Sequence, residues 1–175
     1  IIQLGSIKTE SGNIQLTAIS REQAFNSVLK QGDSGEIISS SEGSILEINA
    51  DELGISGLID SQNINLQAQQ ELQLTQALLQ SNGGDISLMA DQITIQQSTI
   101  NSSSAKSAGQ IDIGISADGI LAKRTFIESE SQLIANSTQS GDGGNIIVWS
   151  ENGTQFYGSA HAKAGEQSGN GGFVE

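Results

Sequence analysis

Four acidic residues occupy matching places in the chain. Asp51, Asp91, Asp118 and Glu151 each follow a short apolar–x–apolar–x–small run, and Gln69 interrupts the row after another such run. If the runs are strands stacked on one another, Asp91 and Asp118 stand about 5 Å apart, the spacing of hydrogen-bonded strands. Carboxylates that close raise one another's pKa or share a cation. A raised carboxyl beside an ionised one is what acid–base cleavage of a polysaccharide requires. The competing reading is a solvated corner, where Asp is favoured for local turn geometry.

Other small constellations carry weaker chemistry. Gly32-Asp33-Ser34-Gly35 places a serine among small residues, as around an acyl-transfer nucleophile, but the only histidine, His161, lies far downstream. Trypsin-like enzymes place that base before the serine, so a turn is the better reading. His161 has no second His and no Cys to complete a zinc set. Gly141-Asp142-Gly143-Gly144-Asn145 offers oxygens to calcium, without the recurring nonapeptide of calcium-binding β-rolls. Lys123-Arg124 is too sparse for a polyanion cleft. Asn101, Asn136 and Asn152 fit the N-glycosylation acceptor pattern, which arises by chance in a chain this rich in Asn and Ser. No nucleophile–base pair, metal triad or basic-plus-carboxylate cleft assembles from these residues. The sequence therefore assigns no catalytic, cofactor-binding or metal-ligating residue, and no enzyme activity is expected.

The elements that hold these residues follow from composition and repetition. The chain has 175 residues, 20 acidic against 7 basic, and a net charge of -13. That balance leaves little to neutralise phosphates, so a nucleic-acid module is excluded. With no cysteine, disulfides and thiolate metal sites are excluded. No apolar run approaches the roughly 18–20 residues of a membrane-spanning helix. The absence of proline does not signal disorder, because 24 residues are isoleucine, and disordered chains are poor in β-branched residues. The chain opens on Ile1 without a leader pattern and reads as an internal segment of a longer protein.

The apolar–x–apolar–x–small run recurs at Ile14–Ala18, Leu46–Ala50, Ile64–Ala68, Ile86–Ala90, Ile113–Ala117 and Ile146–Ser150. Its period of two marks a strand with one buried face. Leu88 and Ile115 are expected inside, Met89 and Ser116 outside. A second apolar pair follows at Leu53/Ile55, Leu72/Leu74, Ile93/Ile95 and Ile120/Ala122. A third element follows at Ile59-Asp60-Ser61, Leu79-Gln80-Ser81, Ile100-Asn101-Ser102 and Ile127-Glu128-Ser129. The small residues at 50, 68, 90, 117 and 150 are spaced by 18, 22, 27 and 33 residues, so insertions gather in loops such as Ser103–Gly109. Three strands per repeat predict an all-β parallel β-helix over 1–175, a solenoid whose turns bury a continuous column. Residues 20–30 lack the period of two and read as a short helix, capped by Ser20, or a loop.

The last stretch resembles filamentous haemagglutinin-like large exoproteins of two-partner secretion. It reads Gly143-Gly144-Asn145-Ile146-Ile147-Val148-Trp149-Ser150, then Gly153-Thr154-Gln155-Phe156-Tyr157-Gly158, then Gly171-Gly172-Phe173-Val174-Glu175. The match covers about residues 140–175; the remainder shares only composition and repeat style. The resemblance implies a right-handed parallel β-helix, secretion or display on a bacterial surface, and adhesion to a host-cell or matrix glycan or receptor. It also implies an outer-membrane transporter partner for the parent protein. The Asn-Pro motifs of that family's secretion domain are missing, since the chain has no proline. Trp149, outward by alternation, packs under the next loop or meets a ligand. The expected function is a structural or adhesive stalk, and the alternatives are a carbohydrate-active β-helix enzyme or the stalk of a toxin-delivery exoprotein.

Overall fold

The computed structural model describes residues 2–18, 28–32, 35–39 and 41–175. Short runs of alternating Ile or Leu with Ser, Gln and Asn cannot bury their apolar side alone, and they do so by stacking. In chain order the strands are β1 (Ile2–Leu4), β2 (Ile7–Thr9), β3 (Ile14–Thr17), β4 (Val28–Gln31), β5 (Glu36–Ser39), β6 (Ile45–Ser61) and β7 (Asn63–Gln80). They continue as β8 (Ile86–Met89), β9 (Gln92–Gln96), β10 (Thr99–Asn101), β11 (Ile111–Ile113), β12 (Arg124–Ile127) and β13 (Gln132–Ile134). The last are β14 (Asn145–Val148), β15 (Thr154–Phe156), β16 (Ser159–His161) and β17 (Phe173–Val174). The chain is all-β, and no helix occurs among the described residues.

Every pairing between these strands is parallel, and the chain returns to the same neighbour after three strand segments. One ladder runs β3–β6–β7–β8–β11–β14–β17. A second runs β1–β4–β6–β7–β9–β12–β15. The third runs β2–β5–β6–β7–β10–β13–β16. Strands β6 and β7 each run through all three ladders, and their mutual register shifts between Ala50 and Glu52 and between Ile55 and Gly57, where the path bends.

The core is a set of stacked columns. Ile14, Leu46, Ile64, Ile86, Ile111 and Ile146 pair in succession along the first ladder, and all are buried. Ile55, Leu74, Ile95 and Ile127 do the same in the second, and Ile37, Ile59, Leu79, Ile100 and Leu133 in the third. Each such side chain contributes about 1.5–3 kcal/mol by leaving water. Buried serines close the bend between the third ladder and the first. Ser81 Oγ donates to the Gly84 carbonyl at 2.6 Å and Ser102 Oγ to the Gly109 carbonyl at 3.2 Å. A serine fits there because it is small and satisfies a bend carbonyl that has no ladder partner.

The register departs from expectation at one layer. Ile111 pairs with Ile86 and Ile113 with Leu88, so the apolar run starts two residues earlier than the Ile113–Ala117 reading placed it. Ile115 is only half-buried, while Ile113 is fully buried. The reason is an excursion. Ile115 bridges Leu121 antiparallel, and the Ala122 N–H donates to the Gly114 carbonyl at 2.8 Å, closing the loop at its base. The rest of that layer shifts with it, while Ile146 and Val148 stay where alternation placed them. Thr125 and Ile127, not Ile120 and Ala122, continue the second ladder, and Leu133, not Ile127, continues the third. Ile120 is 62% exposed. Alternation alone could not see this, because Ile113–Ala117 satisfies the same pattern as Ile111–Ile113. Of the segment 20–30, residues 20–27 lie outside those described, and residues 28–30 belong to β4 rather than to a helix or loop.

Candidate functional site

The first ladder presents its outward side chains in rows. Gln15, Glu47, Asn65, Ser87 and Asp112 stand at successive paired positions. Beside them the backbone N–H of Asp85 donates to Asn63 Oδ1 at 3.2 Å, and that of Gln110 donates to Asp85 Oδ1 at 2.9 Å. Each side chain in this second row thus caps the layer above it. The Gln110 amide also donates to both oxygens of Asp112, at 2.8 Å each. Burial pushes the Asp112 carboxyl above its ordinary value, the Gln110 contacts pull it back, and the neighbouring Asp85 charge adds to the rise.

The excursion sits against this face. Ser116, Asp118 and Ile120 form one wall of a cleft of about 400 Å3 whose other wall includes Asn65, Asp85, Ser87 and Met89. The cleft offers amide, hydroxyl and carboxylate groups to a hydroxyl-rich ligand. Asp112 is not among the sequence candidates, although an acid between two isoleucines is outward by alternation. Its nearness to Asp85 needed the register, which the excursion disguised.

The acidic row read from the sequence does not exist as a row of carboxylates. Asp118 lies in the turn of the excursion. The position stacked on Asp91 is held by Lys123, whose N–H donates to the Asp91 carbonyl at 2.8 Å and whose Nζ lies 2.6 Å from Asp91 Oδ2. Glu151 follows on the next layer, with its N–H donating to the Ala122 carbonyl. Hydrogen bonding to Asp91, then the charges of Asp91 and Glu151, hold the Lys123 ammonium above its ordinary value. A cation between two carboxylates replaces the expected carboxylate pair. Both partners in the Lys123–Asp91 contact are solvated, so it contributes little to stability.

The remaining sequence candidates are placed as follows. Ser34 lies outside the described residues. His161 is exposed at the end of β16, paired with Ile134. Asp142 Oδ1 accepts from the Asn170 N–H at 2.7 Å and from its amide at 3.3 Å, so this carboxylate joins two loops. Asn101 Oδ1 accepts the Ser103 N–H, and Asn136 Oδ1 the Lys163 N–H, whereas Asn152 is exposed. Trp149 is 38% exposed, and its backbone N–H donates to the Ile113 carbonyl. Among the described residues no group of three His, Asp or Glu side chains is arranged to hold a metal ion, and no helix is long and apolar enough to cross a membrane. No family model matches the chain, and neither do curated proteins or solved structures.

Proposed function

We propose that the chain is a segment of a right-handed parallel β-helix, serving as a structural or adhesive stalk of a secreted, filamentous haemagglutinin-like surface exoprotein. The observation that carries this reading is the return of the chain to the same three parallel ladders, layer after layer, with apolar columns inside and short polar side chains outside. Such a body is rigid along its axis, because each layer adds about 4.8 Å and hydrogen-bonds to both neighbours. Rigidity and reach are what a stalk supplies, and outward rows and loops are what it displays. The parent protein's transporter partner and its glycan or receptor ligand belong to the same reading.

Small-angle scattering of the chain tests the stalk, with an elongated particle of constant cross-section expected and a globular one overturning it. The reading of a carbohydrate-active enzyme is favoured by one observation, the Asp85–Asp112 neighbours with the Asp112 carboxyl raised. Incubation with acidic and neutral polysaccharides separates the two. Retention without cleavage supports adhesion, and cleavage lost in Asp112→Asn would establish the enzyme.

A further inference from the structure

The outward side of the second ladder holds a second cleft, of about 450 Å3, which shares no lining residue with the first. Its floor is Phe126, half-buried in β12 between Thr94 of β9 and Gln155 of β15. Tyr157 meets Phe126 edge-on, with ring centroids 6.0 Å apart and planes at 61°, and is itself 62% exposed. Arg124 lies two residues before Phe126 on the same side of the strand, about 6.6 Å away along it.

What separates this cleft from the other outward rows is an aromatic pair set beside open polar groups. Some side-chain amides elsewhere are engaged, Gln73 with Gln96, Gln76 with Gln97, Gln80 with Asp60 and Gln110 with Asp112, while those of Asn65, Gln67 and Gln69 are open but have no aromatic pair beside them. Here the amides of Gln92, Asn152 and Gln155 make no hydrogen bond within the described residues. The guanidinium of Arg124 is exposed and, like the ammonium groups of Lys30, Lys106 and Lys163, has no ion-pair partner among them. Phe126, with Tyr157 against it at the border of the cleft, therefore meets three unengaged amides and one unpaired guanidinium on one concave surface.

We propose that this cleft binds a short saccharide carrying a single carboxylate. The C–H face of a sugar ring packs on the Phe126–Tyr157 surface, which is apolar and rigid. The three amides donate to and accept from ring hydroxyls. Arg124 takes the carboxylate through two parallel N–H groups, the geometry a guanidinium offers and a lysine does not. One cation suits one carboxylate rather than a polyanion. The proposal rests on the display reading, and names the ligand class that the displayed surface takes.

The test is isothermal titration of the 175-residue chain with glucuronosyl-xylobiose, a trisaccharide with one carboxylate, and with its methyl ester, with circular dichroism and a thermal melt checking the fold of each variant. Wild type is expected to bind the free acid more tightly than the ester. Arg124→Gln should weaken the free acid at least tenfold and change ester binding less than twofold. Tyr157→Ala should weaken both at least fivefold. The absence of saturable binding to the wild-type chain, or equal binding of the free acid by wild type and Arg124→Gln, overturns the proposal. Loss in Arg124→Gln with none in Tyr157→Ala overturns the aromatic floor. Either failure leaves the stalk untouched, because scattering reads that independently.

Discussion

Gly144 stands over Gly109 so closely that a Cβ on Gly144 would lie 1.9 Å from the Gly109 carbonyl oxygen. The same contact repeats along the bend. A Cβ on Gly109 would lie 2.0 Å from the Gly84 carbonyl, and one on Gly172 would lie 1.9 Å from that of Gly144. The second glycine of each Gly-Gly pair is thus required by the approach of backbone on backbone between layers. Gly144→Ala should lower stability by about 3 kcal/mol, since backbone cannot yield as a side chain tip can. Gly171, the first glycine of its pair, has only the Ala162 carbonyl nearby, at 3.8 Å. Gly171→Ala should change stability by less than about 0.5 kcal/mol. Urea titration of both variants checks the contrast, and equal losses would refute the glycine column.

The corrected register gives a second contrast. Ile113 is fully buried beneath Val148 and above Leu88, whereas Ile115 belongs to the excursion. Ile113→Asp should cost about 3–5 kcal/mol through lost packing and a buried carboxylate. Ile115→Asp should cost less than half of that. The reverse order in denaturant unfolding would restore the later register.

Two loops of similar length should respond differently to shortening. The excursion's turn bonds are internal, from the Ser116 N–H to Ile120 and from the Gly119 N–H to Ser116. Removing Ala117–Gly119 should leave the melting temperature nearly unchanged, because loop length weighs little on closure. The Ser103–Gly109 loop, which by sequence is a surface insertion, continues the layering. Ser104 bridges Ser137, the Ala105 carbonyl accepts from Gln139 and Ser140, and the Ala108 N–H donates to Asp142. Removing Ala105–Ser107 should lower the melting temperature clearly, as bonded groups of the next layer lose their partners.

Stability should rise as the solution is made mildly acidic. Burial raises Asp60 above its ordinary value against the Gln80 hydrogen bond, and burial with the Asp85 charge raises Asp112 against the Gln110 contacts. Between the ordinary and the raised values the folded chain holds protons that the unfolded chain has released, so stability falls as pH climbs through that window. Lowering the pH from neutrality towards the ordinary carboxylate value of about 4 should raise the melting temperature. Asp112→Asn should raise it at neutral pH and flatten the dependence. Repulsion within this acidic chain acts in the same direction, so the flattening is the decisive readout.

The sequence by itself determined the class and most of the packing. A period of two with Ile and Leu at Leu46/Ile48, Ile64/Leu66 and Ile86/Leu88 leaves one buried face, and recurrence every few tens of residues in triplets leaves stacking as the way to bury it. These are local properties of the chain, legible wherever spacing is regular. What the tertiary structure decided was register across irregular spacing. Ile111–Ile113 and Ile113–Ala117 fit one pattern, and only the closure of Gly114 on Ala122 and the pairing of Ile111 with Ile86 choose between them. That choice sent Asp118 to a turn, put Lys123 on Asp91, and brought Arg124, Phe126 and Gln155 to one surface. A side chain's neighbours in a stacked fold lie a full layer away in sequence, 18 to 35 residues here, so a slip of two residues, invisible to alternation, changes the partners throughout its layer.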